Sequence, residues 1–142
     1  MRVFRFELKY SILEGKYNSI ITGMGPFTWY YKDYSTEAGY RALEMKTLEE
    51  CQPEPEDDGI HAIKNGWAFG CDSLESLYEF FNADIQALSA AGFAVSEYEV
   101  PYQHVDIGLH QVQYYKKSAQ LLAIHDVNEI FKSVLDNCTV QY

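Results

Sequence analysis

The chain is short of the features that announce a chemistry. Its 142 residues hold three cysteines, Cys51, Cys71 and Cys138, widely spaced and odd in number. A disulfide framework uses an even, denser set and a zinc site uses close pairs, so free thiols of a reducing compartment are expected. The four histidines, His61, His104, His110 and His125, form no close ligand pair, and no metal site is expected from them. No apolar run approaches the ~20 residues that span a bilayer. The first residues, MRVFRFELKY, alternate polar and apolar, unlike the continuous apolar segment of a secretory signal. The expectation is a cytoplasmic protein with no targeting segment. Internal repeats and low-complexity tracts are also missing.

Positive charge is the other scarcity. Eleven Lys and Arg stand against 21 Asp and Glu, a formal net charge of -10. Such a surface repels phosphate backbones, so no direct nucleic-acid binding is expected. It is steered instead toward partners with a basic surface. What the chain does have is 47% apolar residues, 23% charged residues and 12 tyrosines. The first two values describe an ordinary globular composition, and the length suits one domain over 1–142. Tyrosine gives large contact area at little entropic cost and is over-used at recognition surfaces.

VFRFELKY alternates with period two. Val3, Arg5, Glu7 and Lys9 fall on one side, and Phe4, Phe6, Leu8 and Tyr10 on the other, which marks a half-buried strand. KYNSIIT, residues 16–22, is β-branched and reads as its partner across Glu14-Gly15, ended by the GMGP turn. The aromatic run FTWYYKDY follows. STEAGYRALEMKTLEE, residues 35–50, reads as a helix capped by Ser35 or Thr36, with Glu37 in the first turn. CQPEPEDDG, residues 51–59, combines two prolines, four acids and a glycine. It reads as an acidic loop.

WAFGCDSLESLYEFF, residues 67–81, is the most organised stretch. WAFG fits a short buried strand, and Asp72 or Ser73 then caps a helix, Asp72 and Glu75 having the capping-box spacing. Leu74, Leu77, Tyr78 and Phe81 make one apolar face. Cys71 or Ser73 as a nucleophile requires a base nearby, and the sequence identifies none, so a helix start explains both. Asn82 or Asp84 starts a second helical piece with Ile85 and Leu88 inward, closed by Gly92. FAVSEYEV, residues 93–100, reads as a strand stopped by Pro101. LHQVQYY, residues 109–115, reads as another after Gly108, with Val112 and Tyr114 on one side and Gln111, Gln113 and Tyr115 on the other. AQLLAIH adds a strand, and Asp126 caps a last helix with Ile130, Phe131, Val134 and Leu135 inward. Separated helices and short links predict a single-domain α+β fold with a mixed or mainly antiparallel sheet and about three helices.

VFRFE, GPF, PEPEDDGI, WAFGCDSLESLYEFF, AGFAVSEYEVP and GLHQVQY together resemble a family of small uncharacterised phage proteins. That family's pattern has a YR-like first strand, a GPY turn, a P-x-DG loop and an FGF-S-LEQL-x-WF strand-helix. A GF-x-V-x-YEV strand and a G-x-x-Q-V-F strand follow. The resemblance covers most of residues 3–115 and implies a phage-type protein, in the host cytoplasm if phage-encoded. Together with the small size, the net charge of -10 and the abundance of tyrosine, it leads us to expect a protein that works by binding a host or defence component, such as an anti-CRISPR-like inhibitor. Its acidic, aromatic face would occupy a basic groove that otherwise holds nucleic acid. The candidate residues are Glu49, Glu50, Glu54, Glu56, Asp57 and Asp58, with Tyr30, Tyr31 and Tyr34 as aromatic anchors. No cofactor is expected on this reading, and a monomer or small homo-oligomer would serve.

The layout is also remotely similar to the ADP-ribosyltransferase fold, which implies the alternative, an NAD-binding protein or enzyme. The matching catalytic positions are Arg5, Ser73 and Gln111 or Gln113. That resemblance implies a glutamate at the late position, to hold the ribose hydroxyl and stabilise developing positive charge. Glutamine hydrogen-bonds there but supplies no charge. Without that resemblance, Arg5 reads as a surface strand residue and both glutamines as solvent-facing strand positions.

Overall fold

The structure, a computed structural model, describes residues 1–8, 59–60 and 64–132. Strand β1 (Arg2–Leu8) pairs antiparallel with β3 (Phe93–Glu99), which pairs antiparallel with β6 (Gln120–His125). A second sheet has the order β2 (Trp67–Gly70), β5 (Val112–Tyr115), β4 (Val105–Ile107), again antiparallel throughout. Helix α1 (Leu74–Phe81) runs through a 3-10 turn at Asn82–Asp84 into α2 (Ile85–Ala91). Residues 127–132 form the described part of α3. With two antiparallel three-stranded sheets and these helices the fold is α+β.

The alternation of β1 decides the layering. Phe6, with Phe4 and Leu8 at its sides, packs into a helical core with Leu77, Phe81, Ile85, Leu88, Phe93, Val95, Val127 and Phe131. Phe6 meets Phe81 edge to face at 5.0 Å, a favoured ring geometry. The opposite side of β1 supplies Val3 to a smaller cluster with Ala68, Val100, Val112 and Tyr114. The sheets are joined where β2 ends. There Phe4 and Cys71 exchange backbone hydrogen bonds of 2.8 and 2.7 Å.

Local signals work as their chemistry requires. Ser73, extended at φ -148°, is the N-cap of α1, and its hydroxyl accepts from the Ser76 N–H at 3.1 Å. That settles the choice between Asp72 and Ser73, and the Asp72–Glu75 pairing is not the cap. Gly92, at φ +100°, closes α2 with its N–H aimed at the Leu88 and Ser89 carbonyls. A side chain there would be strained. Asp126 accepts from the Glu129 N–H at 3.1 Å at the start of α3.

Three expectations need correction. The strand expected over 109–115 begins only at Val112, because the Gly108 N–H donates to the Gln111 carbonyl at 2.8 Å and closes a turn. That turn joins β5 to β4, a three-residue strand the sequence analysis did not anticipate, since so short a segment carries no periodicity. Gln113, expected to face solvent, is fully buried, and Gln111 is 7% exposed. The expected strand at 16–22, the helix at 35–50, the acidic loop at 51–58 and the inward Val134 and Leu135 lie outside the described residues.

Candidate functional site

The unusual chemistry of this fold lies on the second face of β1. The β1–β3 register sets Arg5 opposite Ser96, Glu7 opposite Ala94 and Val3 opposite Tyr98. Residues directly opposite share a face, so two opposite charges, a hydroxyl and a phenol line one side of the sheet. Tyr114, from the middle strand of the other sheet, packs against them, its ring 5.8 Å from that of Tyr98. Arg5 Nη1 donates to the Tyr114 hydroxyl at 3.2 Å, and Arg5 Nε lies 3.4 Å from Glu7 Oε1. The Tyr98 hydroxyl donates to the same Glu7 oxygen at 2.5 Å.

Arg5 is 8% exposed and Glu7 1%, so the expectation of a surface arginine is overturned. Residue identity alone could not show it, because burial comes from the second sheet. A lone buried charge is costly; here guanidinium and carboxylate neutralise each other. Burial, the strongest influence on Arg5, works against its charge. The Tyr114 oxygen and Glu7 outweigh it, and the guanidinium holds its proton more tightly than usual. Burial pushes the Tyr98 phenol up, and its hydrogen bond to the Glu7 carboxylate pushes it further. Burial likewise raises Tyr114, with Arg5 opposing. Near neutrality both phenols therefore keep their protons, Tyr98 donating to Glu7 and Tyr114 accepting from Arg5. Arg5 Nε, Glu7 Oε2 and Ser96 Oγ are buried and make no hydrogen bond among the described residues. Unsatisfied buried groups cost roughly 1–3 kcal/mol each, so polar strain is concentrated at this one inter-sheet cluster.

The other sequence-predicted residues have different partners. Ser73 caps α1, and its hydroxyl also lies 3.0 Å from that of Ser76. The Gln113 side chain accepts from the Lys64 N–H at 2.9 Å and donates to Asp106 at 3.2 Å, tying the chain before β2 to β4. The Gln111 carbonyl closes the β4–β5 turn. Cys71 is a buried thiol that donates to the His110 carbonyl, at 3.7 Å. So the structure places Arg5 beside Tyr114, the neighbour of Gln113, while Ser73 does a helix-capping job. Tyr30, Tyr31, Tyr34, Glu49, Glu50, Glu54, Glu56, Asp57 and Asp58 lie outside the described residues. Sequence reasoning found Arg5 but missed Glu7, Tyr98 and Tyr114. The available signal was an Arg and a Glu two residues apart on one face of a strand.

The described surface carries acids of its own. Asp72, Glu75 and Glu79 are exposed; Glu75 and Glu79, four residues apart, lie along one side of α1, Asp72 just precedes its N-cap, and the last turn of that helix has no base. Among the described residues no helix is long and apolar enough to cross a membrane.

The family pattern of the bacteriophage T4 Y00F protein matches residues 1–128, and the chain belongs to that family. The comparison with curated proteins gave no match, and neither did the comparison with solved structures.

Proposed function

We propose that this phage protein acts by binding a host or defence protein with a basic surface, in the host cytoplasm, as an inhibitor of the anti-CRISPR kind. The observation that carries this reading is the charge, -10 over 142 residues, with Asp72, Glu75 and Glu79 exposed and free of ion pairs among the described residues. Unneutralised carboxylates along a helix compete for a groove built to hold phosphates, and they steer the encounter. Tyr30, Tyr31, Tyr34 and the acids between Glu49 and Asp58 are the further contact residues of this proposal. The test is a pull-down from nuclease-treated host lysate at low and raised salt. The Debye length falls from ~10 Å at 0.1 M to ~3 Å at 1 M. A stoichiometric partner recovered at low salt and lost at high salt supports the reading; none at low salt rejects it.

A second reading is an ADP-ribosyltransferase-like NAD site. It draws on the position of Arg5 on the first strand beside the strand that carries Gln113. Arg5 is a good bidentate donor to phosphates, but it would have to exchange Glu7 and Tyr114 for them. Arg5→Ala is not a clean probe, since it leaves Glu7 buried without its counter-charge. The test is the melting curve in millimolar NAD, which rises if NAD binds only the native state. An unmoved curve, with no labelled ADP-ribose transferred in lysate, removes this reading and leaves the first intact.

A further inference from the structure

Cations are few here, and the fold does not scatter them. Among the described residues Arg2 is tied to Glu97 and Glu99, and Arg5 to Glu7. Three of the remaining four, Lys64, Lys116 and Lys117, come together at one end of the second sheet, beside its aromatic residues. Trp67 and Tyr115 are directly paired across β2 and β5, so their rings share a face, 5.7 Å apart. His104 meets Tyr115 edge-on at 5.7 Å and is held by Ser118, its Nδ1 2.9 Å from the hydroxyl. Lys64 Nζ sits 4.2 Å over the Trp67 ring and 2.8 Å from Asp106. Lys116 and Lys117, in the 3-10 turn that leaves β5, are exposed and have no ion pair among the described residues. All three rings are partly exposed. Among the described residues the patch therefore sets three lysines against one aspartate, a local charge of +2 on a chain of -10.

We propose that this patch binds a short single strand of nucleic acid, bases against Trp67, Tyr115 and His104 and phosphates on Lys116 and Lys117. Stacking rings flanked by unpaired cations are the two elements of sequence-tolerant single-strand sites. Three half-exposed rings at a sheet end enclose too little of a free nucleotide, because small-molecule sites bury most of their ligand. A strand instead collects several weak contacts in a row. A duplex hides its bases and offers the acidic chain only phosphate. Net charge argues against nucleic acid only as an average. At physiological salt a charge is felt over about 8 Å, so Lys116 and Lys117 act on what lies beside them. The inference does not depend on the protein-binding proposal, whose pull-down is done without nucleic acid.

The test is fluorescence anisotropy with a labelled oligothymidylate of about ten nucleotides, within the ~4–16 nucleotide range of single-strand sites. Binding is expected at low salt. Two neutralised phosphates give a slope of about -1.4 in log K against log salt, or about 25-fold weaker binding for a tenfold rise in salt. K116A/K117A, both exposed, should weaken binding about tenfold or more with an unchanged melting curve, and Lys132→Ala should leave it unaltered. Tyr115→Leu, which keeps an apolar filler against Trp67, should weaken it without flattening the salt slope. No binding at low salt overturns the proposal, and so does binding that K116A/K117A leaves intact. Equal affinity for a duplex or for polyphosphate shows charge without stacking and also overturns it. Equal affinity for poly-glutamate reassigns the patch to an acidic protein.

Discussion

Replacing Gly70 with alanine should loosen the joint between the two sheets. A Cβ at this position would lie 2.6 Å from Val3 Cγ1, 2.8 Å from the Phe4 carbonyl oxygen and 3.5 Å from Arg5 Cβ. Rotating Val3 could relieve the first clash. The second is with backbone, and that carbonyl is held by the Cys71 N–H at 2.7 Å while the Phe4 N–H donates to Cys71 at 2.8 Å. The methyl therefore fits only if β1 and β2 separate, which strains or breaks that pair of hydrogen bonds. Two such bonds are worth about 1–3 kcal/mol net, and overpacking adds roughly 1–3 kcal/mol. Reduced freedom of the unfolded chain returns about 0.4–1 kcal/mol. The balance is a loss of about 1–6 kcal/mol, or roughly 3–20 °C in Tm for a chain of this size. Urea unfolding followed by circular dichroism, with a thermal scan beside it, measures both. Val3→Ala in the Gly70→Ala background should cost less than the sum of the single changes, because it removes one of the two clashes. A Tm within about 1 °C of the parent, below that range, would refute the close approach of these strands.

Removing Glu7 as Glu7→Ala should cost about 3–5 kcal/mol by leaving Arg5 buried without its carboxylate, and Tyr98→Phe about 1.5–3 kcal/mol as one hydrogen bond to a charged group; urea midpoints compare them. Acid should destabilise the fold through Glu97. A hydrogen bond from His125, and then one from Arg2, hold its carboxyl below the ordinary carboxylate range. The unfolded chain thus takes up a proton first as pH falls, and this stabilisation, complete above the ordinary range, is lost as pH drops through the folded value. Stability measured from pH 7 downward should show that acid limb, and His125→Gln should flatten it. Ser73→Ala should cost about 1 kcal/mol as a lost N-cap while Asp72→Ala costs less, and the reverse order in thermal melts would displace the cap.

The particular residues show what a chain like this declares locally. Phe4, Phe6 and Leu8 on one side of β1, Leu77 and Phe81 on α1, and Ser73 and Gly92 at helix ends were all legible. Each follows from a period of two or 3.6, or from a cap, that involves only a few neighbours in sequence. The short β4 was not legible, since three residues hold no period. The polar cluster was half legible. Arg5 was singled out only through the ADP-ribosyltransferase resemblance, and its partners come from Glu7 on the same strand, Tyr98 on β3 and Tyr114 on β5, with bonded residues up to 109 positions apart. The two glutamines looked like solvent-facing strand positions because alternation says which side a residue is on, not what covers that side. The sequence by itself determined most of the described elements, the inward faces of β1 and α1, and the acidic balance. Only the tertiary structure decided that both faces of β1 are covered, that Arg5 and Glu7 neutralise each other there, and that lysines and rings meet at one sheet end. Burial and charge placement are properties of chain segments brought together from far apart, so no local pattern encodes them.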